Sequence, residues 1–227
     1  MSYQPPAELY PLIKGTFTIT YIFLVTTGIV IFIEALRHGS GYISHVMNLE
    51  TAISVVAAYF YGLFMSELEQ SEKLNSPVDW NKMVTYRYID WSITTPIMLL
   101  VLILYMGNNL KIPVKLGTYV MILLLNYIML GFGFLGETGV TSRETGSIGG
   151  FASFTLMFLI IYSTFMKKYN FSNSVLFWFY AIVWSLYGVM FTLNNDYKIP
   201  ITNILDLISK CFVGLGLWAY YTKILTV

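Results

Sequence analysis

Residues 84–106 read VTYRYIDWSITTPIMLLVLILYM, and this stretch decides the fold. A helix that crosses a bilayer needs roughly 20 apolar residues, and the only charges in this run are Arg87 and Asp90. The run is continuous, whereas a barrel strand alternates over about ten residues. Six further runs of the same kind flank it, near Leu12–Leu36, Val46–Met65, Ile112–Leu135, Ser147–Met166, Val175–Leu193 and Ile201–Ile224. Polar, turn-rich segments separate them at Ser71–Asn81, Glu137–Thr145, Lys167–Asn173 and Asn194–Pro200. The pattern predicts an all-α membrane protein, a seven-transmembrane-helix bundle filling residues 1–227 as one domain. Met1–Glu8 is polar and the first apolar run is too long for a signal-peptide core, so no cleavable signal is expected.

Composition agrees. Of 227 residues, 56% are hydrophobic and 11% charged, against about 25% charged in soluble domains. A net charge of +1 with this hydrophobicity excludes disorder. Thirteen basic residues offset by 12 acidic ones leave no footprint for nucleic acid. One cysteine, Cys211, excludes an internal disulfide and a cysteine metal cluster, and no metal site is expected. With the N-terminus outside, Arg37, Lys111, Lys115, Lys167, Lys168 and Lys223 fall inside. Lys14, Lys73, Lys82, Arg143 and Lys198 then fall outside, a narrow vote for a cytoplasmic C-terminus.

Ionisable groups at membrane depth are expensive and mark function by default. Arg87 and Asp90 are spaced i, i+3 on the third run, and Asp206 and Lys210 i, i+4 on the seventh, so each pair shares a helix face. Facing one another, two cations and two anions make a neutral quartet. Such a quartet is a structural ion-pair network, a transporter site, or the setting of a reactive lysine. An amine in an apolar pocket condenses with an aldehyde, and the resulting cation needs an anion such as Asp90 or Asp206 nearby.

Arg87-Tyr88-Ile89-Asp90-Trp91-Ser92-Ile93-Thr94-Thr95-Pro96 on the third run and Asp206-Leu207-Ile208-Ser209-Lys210 on the seventh resemble the microbial (type I) rhodopsins, seven-helix retinal proteins. Trp184-Ser185-Leu186-Tyr187 on the sixth run and Asn126–Gly133 on the fourth are similar to the family's pocket segments. The resemblance implies all-trans retinal bound as a Schiff base on Lys210. It implies Asp90 as primary counterion and proton acceptor, Asp206 as second counterion, Arg87 as gate of the outer half, and Tyr187 bonded to Asp206. Trp91, Thr94, Thr95, Met98, Met129, Gly133, Trp184 and Tyr187 would contact the polyene.

The departures bear on mechanism. Outward pumps of the family carry a carboxylate eleven residues after the acceptor, where this chain has Val101. Glu50 on the second run is the candidate replacement donor; the alternative reading is a first-turn glutamate beside an Asn48 cap. The second run has no histidine, since His38 and His45 lie in or beside the first loop. The absent donor, short loops and compact chain look most like the viral rhodopsins of giant viruses. Thr95 and Asn126 stand where channelrhodopsins have a gating hydrogen bond. Glu34 and Arg37 read as interfacial anchors or as part of a contact in a homo-oligomer, pentamer or trimer, as relatives form. The expected function is a non-enzymatic photoreceptor in the lipid bilayer, acting as a light-driven outward proton pump. The alternatives are a light-gated cation channel and a photosensor coupled to a transducer.

Overall fold

The structure, a computed structural model, describes residues 5–39, 41–193 and 196–223. Among these there are seven long helices and no strand. They are α1 (Tyr10–Arg37, entered through a 3-10 turn at Ala7–Leu9), α2 (Tyr42–Leu74), α3 (Trp80–Leu110), α4 (Leu116–Glu137), α5 (Arg143–Phe165), α6 (Phe171–Leu193) and α7 (Lys198–Tyr221). Each is long and apolar enough to cross a membrane. The expected bundle of seven spans is what the chain folds into; the end of the seventh predicted span, Ile224, lies outside the described residues.

The helices overrun the apolar stretches because a helix need not stop where hydrocarbon does. Residues 71–74, expected in a loop, continue α2, which closes at Asn75 in the left-handed conformation (φ 47°), a habit of asparagine. Asp79 then opens α3 by accepting the Lys82 amide proton on Oδ1 at 3.1 Å. Ser142 Oγ caps α5 by accepting from the Thr145 amide at 3.1 Å, and Asn170 Oδ1 caps α6 by accepting from Asn173 at 3.0 Å. The helices therefore start before the apolar runs do. The fourth span is the opposite case. It starts at Leu116, not Ile112, because Pro113 disfavours helix in the residue before it.

Within α3 the chain passes, after Asp90, from one compact unit to another and returns before α7. The first unit holds α1, α2, the start of α3, and α7. Its core packs Phe17 edge-on to Tyr61 (5.8 Å) and against Phe64 (5.1 Å). Leu24, Ala57, Leu68 and Cys211 join the same cluster, so the lone thiol serves as a small packing group. Ion pairs Lys14–Glu72 (2.8 Å) and Lys82–Glu67 (2.6 Å) tie its polar rim. Glu34 is buried, pairs with Arg37 at 3.3 Å, and accepts from Trp218 Nε1 at 3.4 Å. Ile19, Ile22, Ile29 and Phe32 of α1 are about half exposed, as lipid-facing side chains should be.

The second unit holds Trp91–Leu193. Pro96 has no amide proton to give the carbonyl of Ser92, and that carbonyl accepts from Tyr127 Oη at 3.2 Å instead. Tyr119 Oη donates to the Pro96 carbonyl at 3.0 Å. Helices α4 and α5 meet through glycine. A Cβ on Gly146 would lie 2.9 Å from the Phe132 carbonyl, 3.1 Å from the Phe191 ring and 3.4 Å from Gly136 Cα.

Gly146→Ala should therefore destabilise the solubilised protein by about 1–3 kcal/mol, the scale of overpacking. Gly117→Ala, with nothing within 4 Å, should not. Thermal unfolding in detergent reads the difference, and equal stability of the two variants would contradict the close α4–α5 approach.

Candidate functional site

The site in the first unit starts from a distortion of α7. Leu207–Phe212 forms a π-helical stretch between α-helical Lys198–Asp206 and Val213–Tyr221. Such stretches collect at functional sites because they change which side chains share a face. Lys210 lies in this one, 2% exposed, and its Nζ donates to Asp90 Oδ2 at 2.7 Å. Asp206 Oδ1 is 3.6 Å from the same nitrogen. Asp90 and Asp206 are 0% and 1% exposed. All three groups are withdrawn from water and depend on one another for charge balance.

Arg87 completes the quartet. Its Nη1 donates to Asp206 Oδ2 at 3.2 Å and its Nη2 to Asn203 Oδ1 at 2.7 Å. The guanidinium also lies over Phe64 and Phe17, 5.0 and 5.7 Å from the ring centroids, cation–π contacts that hold a planar cation in an apolar wall. Tyr61 Oη donates to Asp206 Oδ2 at 2.8 Å. Two cations thus face two anions, as the spacing of the two charged pairs predicts. An ammonium 2.7 Å from a carboxylate can hand it a proton in one step.

Glu50 corrects one sequence reading. Helix α2 begins at Tyr42, so Asn48 is no cap; its Nδ2 donates to Ser44 Oγ at 3.4 Å inside the helix. Glu50 therefore stands beyond the first turn, where a dipole explanation fails. It is 1% exposed, and its Oε1 has no hydrogen-bond partner among the described residues. Its Oε2 would be 3.1 Å from a Cβ on Gly214, four residues past Lys210, so only glycine leaves the carboxyl this space. Along α7, Asn203 and Asp206 precede the amine, and the Glu50 contact follows it.

In the second unit, Trp91 and Tyr187 stack edge to face with centroids 5.3 Å apart. Trp184 packs on Tyr180 (5.9 Å) and Phe158 (6.2 Å). Thr94, Thr95 and Met98 are buried, while Met129 and Gly133 are half-buried. Asn126 Nδ2 donates to Thr95 Oγ1 at 2.9 Å, so the pair singled out in the sequence is bonded. Val101 is fully buried, as are Leu99, Leu102 and Ile103. Sequence reasoning missed Tyr61 and Asn203. Both are uncharged, and Tyr61 lies on a helix without a recognisable motif; the only signal was a polar residue three positions before Asp206.

Among curated proteins none matches the sequence. Among solved structures, the viral rhodopsin OLPVRII shares 42% identity over 95% of this chain and 100% of its own, with a TM-score of 0.86. A blue light-absorbing proteorhodopsin from Med12 shares 18% identity over 93% of this chain and 96% of its own, with a TM-score of 0.72. The proton pumping rhodopsin AR2 from the marine alga Acetabularia acetabulum shares 19% over 94% and 96%, with a TM-score of 0.74; at such identities the likeness is one of fold. A family model described as bacteriorhodopsin-like protein matches residues 12–224. With seven membrane-length helices and a buried lysine–carboxylate cluster on the third and seventh, the chain belongs to the bacteriorhodopsin-like family of microbial rhodopsins.

Proposed function

We propose that the protein is a light-driven outward proton pump. Residues 1–227 act as one retinal-binding domain, with the N-terminus outside and the C-terminus cytoplasmic. The observation that carries this reading is the 2.7 Å contact of Lys210 Nζ with Asp90 Oδ2. The chain's own groups fit the cofactor, since a buried primary amine with two carboxylates beside it suits a cationic linkage. Lys210 Nζ would hold all-trans retinal, which would supply light absorption and a light-driven change of shape beside the Asp90 carboxylate. Trp91, Thr94, Thr95, Met98, Met129, Gly133, Trp184 and Tyr187 are the residues the resemblance assigns to its contacts.

Asp90 receives the proton. Asp206, held by Tyr61 and Arg87, stays anionic and keeps the cluster balanced while Asp90 is neutral. Arg87 lies on the side of Asp206 away from Glu50 and directs the outward path. Return of a proton to the Lys210 nitrogen comes from the inner side; the residue eleven after Asp90 is Val101, which has no proton to give, and the buried Glu50 is the candidate donor. Assembly as a homo-oligomer, pentamer or trimer, is part of the proposal and rests on the resemblance. A cation channel is the second reading, favoured by the Thr95–Asn126 bond. Photocurrent against voltage separates them: a pump keeps one sign through zero voltage, and a channel reverses with the ion gradient.

Expression with retinal should give a coloured pigment, and Lys210→Ala a colourless protein. Colour retained in that variant defeats the assignment of Lys210.

Asp90→Asn removes the anion beside the amine. Absorption should move to the red and transport should cease, read by spectroscopy and by light-driven acidification outside cell suspensions. An unshifted, active variant excludes Asp90 as acceptor.

Flash spectroscopy tests the inner path. With protons arriving from the inner solvent, directly or through Glu50, return of the proton to the Lys210 nitrogen should slow as pH rises, because the free proton concentration falls. Val101→Asp should accelerate this step by about 10²–10⁴, the usual contribution of a positioned acid, and weaken the pH dependence. Glu50→Gln should slow it further. Fast, pH-independent return in the unaltered protein would show that another internal donor exists.

A further inference from the structure

Asn203, one turn before Asp206, is fully buried, and its side chain and carbonyl are tied to three other helices. Its Oδ1 accepts from Arg87 Nη2 (2.7 Å) and from Tyr61 Oη (3.4 Å). Its Nδ2 donates to Thr16 Oγ1 (3.0 Å), and its main-chain carbonyl accepts from Thr20 Oγ1 (3.1 Å). The amide has one workable orientation. The Thr16 hydroxyl proton goes to the Ile13 carbonyl at 2.9 Å, so Oγ1 is left as an acceptor facing Nδ2. On the other side a guanidinium has donors only, so it must meet Oδ1. Turned over, the amide would set N–H against N–H and oxygen against oxygen.

The Arg87 fork is therefore divided between an anion, Asp206, and a neutral oxygen, Asn203. A carboxylate at 203 would add a third negative charge to a balanced quartet; an apolar residue would leave Nη2 without this acceptor. The amide fixes the direction of the guanidinium and leaves the charge count unchanged. When the proton passes from Lys210 to Asp90, the cluster loses one charge of each sign, and Asp206 is left as the single anion facing Arg87. The Asn203 bond is unaffected by that loss, because it is made to a neutral group.

The geometry points to Asn203 as the positioning residue for Arg87, seating it on Asp206 and setting when the proton leaves on the outer side. This rests on the pump reading, in which Asp90 accepts the proton. Thr16 acts through Asn203 by holding the amide in register, which ties the outward step to α1.

The test uses the full chain with retinal in lipid nanodiscs, labelled with ¹⁵N-arginine, the Arg87 signals being assigned with Arg87→Gln. Asn203→Leu keeps the size and removes the acceptor. It should form pigment, shift the Arg87 Nη resonance in the dark, and bring flash-induced proton release forward by about ten-fold, the scale of a hydrogen bond to a charged group. Asn203→Asp restores an acceptor at the same reach and should return the Arg87 resonance toward its original position. Thr16→Val should produce a smaller shift in the same direction, and it tests the proposal even where Asn203→Leu does not fold. Unchanged Arg87 resonances and release times in both Asn203→Leu and Thr16→Val would overturn the assignment. The arginine signals exist with or without pigment, so failure of the unaltered chain to bind retinal counts against Lys210 chemistry and not against Asn203.

Discussion

Three buried charges, with a fourth partly buried beside them, can exist in a medium without water only as a set. The desolvation of a carboxylate or an ammonium amounts to several kcal/mol even after the protein relaxes, so Lys210, Asp90, Asp206 and Arg87 must lie within contact distance or fail to ionise. The distances of 2.7, 3.2 and 3.6 Å meet that demand. Much of the first unit serves it. Aromatic rings of α1 and α2 cover the guanidinium, Tyr61 donates to Asp206, and the π-helical stretch presents the amine.

A network balanced this closely responds to the movement of one proton. Transfer from Lys210 to Asp90, in the pump proposed above, would cancel one charge of each sign and leave Asp206 and Arg87 as a pair supported by Tyr61 and Asn203. The uncharged partners keep the residual pair in place while the other pair is neutral. A purely ionic cluster would have no such fixed frame.

The fold was legible because seven apolar runs in a chain with 11% charge admit few arrangements. The quartet was legible because charges are rare there and their i, i+3 and i, i+4 spacing is regular. Helix ends were legible only in part: Ser71–Leu74 look like loop residues, yet the α2 helix continues past the hydrocarbon with its Glu72 paired to Lys14. Glu50 was misjudged as a candidate first-turn residue because Asn48 has the chemistry of a cap, while the true start at Tyr42 offers no capping side chain. Asn203 and Tyr61 escaped because neutral polar groups gain meaning only from what they touch. No one-dimensional pattern says that residues 16, 61, 87 and 203 meet.

The π-helical stretch at Leu207–Phe212 also has a consequence for how this chain can change. A widened turn acts as a phase slip: side chains after it are rotated relative to those before it, compared with a regular helix. The Asn203–Asp206 face and the Gly214 face thus have their angular settings fixed separately, with Lys210 at the joint. Point substitutions can alter one face without turning the other. Loss of a single residue inside the stretch would restore regular winding and rotate one half of α7 against the other, so this short segment, Lys210 apart, should tolerate exchange of side chains far better than any change in its length.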